Sequence, residues 1–182
     1  MPSSSGFAGR RIDLAPSQVQ MSRLDSFIRR MKAQRACLDR AAELIKGVPG
    51  PLLELGLGNG RTYDHMREIM PAREIYVFER EVAAHADCIP PADYLILGDA
   101  RETLPMMWDR LPHSAALAHI DMGTGDVAAN HRLAGELAPL LAPLLRAAAI
   151  VVSQPPIELP GWLALPLPIG VRDDRYHLYR VG

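Results

Sequence analysis

The chain has 182 residues and a formal net charge of −1, with 48% hydrophobic and 23% charged residues. That length predicts one domain able to bury a core, and the balance excludes a disordered chain and any overall electrostatic pull toward nucleic acid. The charge is unevenly placed, since residues 1–50 carry 9 Lys/Arg against 4 Asp/Glu and the remainder carries 11 against 17.

Residues 1–15 are Ser/Gly-rich and hold a twin arginine, Arg10–Arg11, with no apolar segment behind it. They read as a flexible tail rather than a targeting signal. No apolar run approaches the roughly 20 residues that a membrane span needs, so a cytoplasmic protein without membrane contact is expected. Ser17 and Gln20, just after Pro16, have capping-box spacing and open a predicted helical segment over 16–48. Leu24, Phe27, Ile28, Met31, Leu38, Ala42 and Ile45 form its apolar stripe. Arg29, Arg30, Lys32, Arg35 and Arg40 fall mainly off that stripe, and Gly47 and Pro49 end it. Periodicity leaves open one long helix or two with a bend. Cys37 and Cys88 lack metal-like spacing and read as reduced, packed thiols.

From residue 50 the rhythm changes. Segments 51–57, 74–80, 93–99, 116–122 and 148–154 are short, near-continuous apolar runs, as strands covered on both faces should be. Residues 61–70, 101–109 and 126–146 fit crossover helices, with a brief proline-tipped one over 81–92. Pro139 and Pro143 predict a bend or restart in the last of these. Strand and helix in alternation predict a doubly wound α/β sheet. The alternation then fails: 162–168 and 176–181 flank only "IGVRDDR", so these two strands must run antiparallel. The expected fold is therefore α/β, a doubly wound, mostly parallel seven-stranded sheet over 50–182. It carries an antiparallel C-terminal hairpin and an N-terminal helical extension.

The stretch "PLLELGLGNGRTYDHM" (51–66) places Gly56, Gly58 and Gly60 between a strand and a helix, where such glycines bring a ligand close to the backbone. The helix behind them, with Thr62 in its first turn, offers free N–H groups to carboxylates or phosphates. Glu54 stands two residues before the first glycine. Glu79 ends the second strand 19 residues after Gly60, and Asp99 ends the third. All three acids belong to strands at or next to the crevice beyond the carboxyl ends of the strands.

On these motifs the chain resembles the class I S-adenosylmethionine-dependent methyltransferases, over about residues 50–182. "ELGLGNG" matches the family's acid-x-Gly-x-Gly-x-Gly loop, Glu79 the ribose acid, "GDA" at 98–100 the adenine segment, and "HIDMGTG" the fourth-strand segment. The resemblance implies a Rossmann-like methyltransferase fold and S-adenosyl-L-methionine as cofactor. Backbone at Glu54, Leu55, Gly56, Leu57 and Gly58 would meet its methionine moiety, within a loop completed by Asn59, Gly60 and Thr62. Glu79 would accept from both ribose hydroxyls and Asp99 from the adenine amino group, with Arg80 and Ala100 flanking the ring. The chemistry of the loop agrees, because a sulfonium suits carboxylates whereas a pyrophosphate would be repelled by Glu54. The third glycine also comes one residue earlier than in the dinucleotide pattern G-x-G-x-x-G. The family's helix between the fifth and sixth strands is missing or reduced to a turn, and substrate-binding insertions are absent. The likeness is greatest to small bacterial members with unassigned substrates.

Candidate bases are few. His119 and Asp121 share one strand face. Asp121, nearer the crevice, is expected to touch cofactor or substrate or to cap "MGTGD", while His119 reads as a core histidine. Tyr63 could reach the cofactor, and His65 reads as surface. No catalytic residue is assigned. "SQPP" (153–156) follows the wrong strand for an amino-group methyltransferase signature. Ser153 and Gln154 stand where catechol-type enzymes need metal ligands, so no metal is expected. The cations of the helical segment fit a solvated face without an aromatic platform, making nucleic acid an unlikely partner. The expected activity is methyl transfer to a small-molecule acceptor by a homo-oligomer, the amphipathic segment supplying the interface. The alternatives are a nicotinamide-dependent (NAD(P)) oxidoreductase and a non-catalytic S-adenosylmethionine-binding protein.

Overall fold

A computed structural model describes residues 22–123 and 126–182. The predicted tail, the Ser17–Gln20 capping box and Thr124–Gly125 lie outside the described residues. Within them, helix α1 (Arg23–Leu44) is one unbroken helix, capped by Ser22, whose Oγ accepts from the backbone N–H of Asp25 at 2.9 Å. Then come β1 (Leu52–Leu55), α2 (Arg61–Ile69), β2 (Ile75–Glu79), β3 (Leu95–Leu97), α3 (Ala100–Met106) and β4 (Ala115–Ile120). Helix α4 (Val127–Leu141), β5 (Leu145–Ser153), β6 (Trp162–Ala164) and β7 (His177–Val181) complete the chain.

The strands form one seven-stranded sheet in the order β3-β2-β1-β4-β5-β7-β6. The first five neighbours pair in parallel, and β7 runs antiparallel to both β5 and β6. The expected architecture is present, terminal hairpin included. Differences are local. Residues 81–92 form no α-helix: 3₁₀ turns at Ala86–Cys88 and Ala92–Tyr94 replace it, and the second shortens the expected third strand to three residues. Helix α4 runs through Pro139, and the tightening comes at Pro143, inside the 3₁₀ turn Ala142–Leu144. β5 starts three residues early, with a register shift against β4 between Ala115 and Leu117 and a positive φ of 65° at Ala148.

Two apolar layers hold the sheet. Leu53, Leu55, Phe78, Ile120 and Val151 pack with Leu104 of α3 and Leu137 and Leu141 of α4. On the other face Leu52, Val77, Leu117, Ile150 and Val152 pack with Cys37, Leu38 and Ala41 of α1 and Met66 of α2. Each of the Leu, Ile, Val, Phe and Met side chains contributes about 1.5–3 kcal/mol by leaving water. Burial pushes the Cys37 thiol up to about 11, which keeps it protonated, and both cysteines are free thiols. No helix among the described residues is long and apolar enough to cross a membrane. Because β1 pairs with β2 on one side and β4 on the other, chain direction along the sheet reverses beside it. A crevice opens there, past the strand ends.

Candidate active site

The glycine loop between β1 and α2 needs its glycines at two points above all. Gly56 has φ 93°, and a Cβ there would lie 3.1 Å from the carbonyl oxygen of Asp121. Gly60 has φ 81°, and a Cβ there would come within 2.3 Å of Cys88 Cβ. Both positions therefore exclude side chains on grounds of backbone conformation and of space. Gly60 also opens α2 with no side-chain cap, leaving that end to ligands.

Glu79 organises the loop. Its Oε2 accepts from the N–H groups of Leu57 (2.7 Å) and Gly58 (3.0 Å), and its Oε1 from Arg80 (2.7 Å) and, longer, Glu81 (3.4 Å). Burial works against the charged form, but these backbone donors outweigh it and pull the Glu79 carboxyl below the usual carboxylate range. The loop amides that a pyrophosphate would need are thus committed to a carboxylate of the protein.

Glu54 is fully buried. Its Oε1 accepts from the Thr62 hydroxyl, and its Oε2 meets His119 Nδ1 at 2.8 Å. The two residues are direct register partners on β1 and β4. Burial disfavours a charged His119 ring, yet the adjoining Glu54 carboxylate, with Asp121 adding to it, raises its pKa. His119 Nε2 and the Tyr176 hydroxyl are buried without hydrogen-bond partners, and the two rings stack at 6.3 Å between centroids.

Beside the loop lies a cleft of about 380 Å³, within the range of small-ligand sites. Of the residues expected from the sequence, Gly56, Gly58, Asn59, Thr62 and Asp121 line it. Glu54, Leu55, Gly60, Glu79, Arg80, Asp99 and Ala100 do not. Leu55 and Ala100 are core residues, and Arg80 is exposed just past β2. Asp99 caps α3 and grips Arg101 through both oxygens, at 2.9 and 2.7 Å, which holds its carboxyl well below the usual range. Tyr63 is buried outside the cleft beneath Arg67, and His65 is bonded to Asp39 at 2.7 Å.

The sequence leaves only the N-terminal helical segment to cover the site but does not say which of its residues do so; Arg30, Met31 and Gln34 of α1 line the cleft. Gln34 Nε2 donates to Asp121 Oδ2 at 2.6 Å, joining residues 87 apart. Arg61, Asn130 and Gln154 were also missed, though Arg61 adjoins the loop and that adjacency was a usable signal. Nothing in the helical period says which side of the sheet Gln34 will dock against.

A model of the S-adenosyl-L-methionine methyltransferase family matches residues 21–181. The chain belongs to that family. It is 48% identical to an S-adenosyl-L-methionine methyl transferase of Silicibacter pomeroyi DSS-3 whose crystal structure covers 90% of this chain and 100% of its own, with a TM-score of 0.85. The antibiotic-resistance methyltransferase Kmr, 14% identical over 81% of this chain and 93% of its own, shares the fold at a TM-score of 0.51. No curated protein matches the chain. The methyl donor is accordingly S-adenosyl-L-methionine. The residues present suit it. Space over Gly58 is open, with nothing within 4 Å of where a Cβ would stand, and the Asp121 carboxylate faces the cleft. Asp121 is the carboxylate that a cationic sulfur would meet there, while Arg61 stands at the same cleft as a counter-charge for a carboxylate.

Proposed function

We propose that this enzyme methylates a small acceptor group that enters the cleft between α1 and the glycine loop, with Asp121 positioning it and taking its proton. When bound, S-adenosyl-L-methionine supplies an electrophilic methyl group on a cationic sulfur with a neutral thioether as leaving group. Alignment then does most of the catalytic work. The observation that carries the proposal is the convergence of Gly56–Asn59 and Asp121, from neighbouring strands, on one cleft of about 380 Å³. That volume, shared with a cofactor, leaves room for a small reacting group only.

The residue roles follow. The uncapped start of α2 and Arg61 hold the cofactor's carboxylate. Glu79 takes a ribose hydroxyl at Oε1 in place of its longest contact, the Glu81 N–H at 3.4 Å. Asp99, Ala100 and Arg80 form the adenine end. Gln34 holds the Asp121 carboxylate in place, so that its free oxygen serves the acceptor. Glu79→Ala should weaken binding of S-adenosyl-L-methionine by about 1.5–3 kcal/mol, read by titration calorimetry; unchanged affinity would remove the ribose assignment. Asp121→Asn should bind the cofactor and lose turnover with any acceptor that must shed a proton. Full turnover in that variant would overturn the role given to Asp121.

A further inference from the structure

Helix α1 has the cleft on one side and a second concavity on the other. This groove, about 450 Å³, lies between α1 and the connection from β6 to β7 and is lined by Arg29, Lys32, Arg35, Arg172 and Arg175. Its uncharged lining is Ala33 and Ala36 of α1 with Ile169, Gly170 and Val171 of the connection. Arg29, Lys32 and Arg35 make no ion pair with any described residue, while Arg172 and Arg175 share the half-exposed Asp174 at 3.2 and 3.8 Å.

We propose that this groove binds the phosphate backbone of a single-stranded nucleic acid, whose bases are the source of the acceptor in the adjoining cleft. The proposal rests on the methyl-transfer reading above and gives its substrate a class. Three features support it. First, cations from segments about 140 residues apart in the chain meet in one groove. Neighbouring like charges at i, i+3 repel, and Arg29, Lys32 and Arg35 have no ion-pair partner among the described residues to offset it, so the arrangement answers to an anionic partner. Second, Arg29, Lys32 and Arg35 follow one another at three-residue intervals, a rise of ~9 Å along the helix. Such a row matches a series of phosphates rather than one. Third, the same helix carries Arg30 into the cleft and, one turn earlier, Phe27, which is 45% exposed and offers a face on which a base can stack. A helix is only about 10–12 Å across, so a flexible strand on the groove reaches the cleft over α1. A single strand is favoured because its bases reach the cleft without the cost of unpairing.

Fluorescence anisotropy of the full chain with a fluorescein-labelled single-stranded RNA tests this. Saturable binding is expected at low salt, with log K falling by about 0.7 per unit of log salt for each phosphate neutralised. Combining Lys32→Gln, Arg35→Gln and Arg172→Gln should lower affinity at least tenfold and flatten that slope by about 2. Thermal unfolding and the binding of S-adenosylhomocysteine should not change. Arg40→Gln, Arg132→Gln and Arg180→Gln together, outside the groove, should leave RNA affinity within twofold. The proposal is overturned by undiminished binding in the first variant or an equal loss in the second. Displacement of the RNA by inorganic pyrophosphate at equimolar concentration, or binding to phosphatidylserine vesicles in place of RNA, overturns it also. The two readings separate cleanly in calorimetry. S-adenosylhomocysteine bound without RNA removes the groove proposal alone, whereas RNA bound without S-adenosylhomocysteine removes the methyl-transfer site and leaves the groove.

Discussion

Strands β1, β2 and β4 present different chemistry to their two sides. Toward α3 and α4 they offer Leu53, Leu55, Phe78, Ala118 and Ile120, an unbroken apolar layer. Toward α1 and α2 the same strands offer Leu52, Val77 and Leu117 but interrupt them with Glu54 and His119, both fully buried. One face is built to hold the sheet. The other also holds the loop, because Glu54 stands before the glycines, Thr62 stands after them, and the hydrogen bond between the two closes the loop's span. A buried charge is an expensive fastener, and its location under the site is the lesson of the comparison.

The comparison breaks most visibly at Glu54. Glu54→Leu should destabilise the protein by about 3–5 kcal/mol, since it strands a buried His119 without its counter-charge. Urea unfolding measures this. Glu54→Leu with His119→Leu should recover most of that loss, yet bind S-adenosyl-L-methionine less tightly because Thr62 is no longer tethered. A double variant as unstable as the single one would show that charge is not the reason. On the opposite face Leu53→Ala should cost about 2–5 kcal/mol through the cavity it leaves, with cofactor affinity of the folded protein unchanged. The smallest effect is on pH dependence. His119 has a folded pKa raised above its ordinary 6.5, so the native state holds the proton more tightly than the unfolded chain. Its stabilisation is complete below about 6.5 and fades as pH rises through the raised value. Urea midpoints should therefore fall as pH rises above about 6.5, and the Glu54→Leu/His119→Leu protein should lack that decline.

Much of this was legible beforehand. The parallel strands announce themselves because both of their faces are covered, which turns them into near-continuous apolar runs. The hairpin was readable from the shortness of "IGVRDDR". Gly56 and Gly60 were readable as turn glycines between a strand and a helix, and the structure adds what stands over them, Asp121 and Cys88. Other features were not. Asp93 and Tyr94, read as the start of the third strand, belong to a 3₁₀ turn, and Pro139 sits in α4 without ending it. Local propensity yields to tertiary packing at such places. Glu54 looked like a cleft residue from its distance to the loop, but its oxygens are turned to Thr62 and His119. The strand pattern gives the face a side chain takes and cannot give its partner across the sheet.

The order of elements, the α/β class, the antiparallel end and the place of the loop follow from periodicity and turn chemistry, which act over a few residues. What depended on the folded chain was every relation between distant segments. Gln34 meets Asp121, Glu54 meets His119, and Arg29, Lys32 and Arg35 face Arg172 and Arg175. Hydrogen bonds and ion pairs act over a few ångströms in space, and only the packing of α1 across the sheet brings those groups that close.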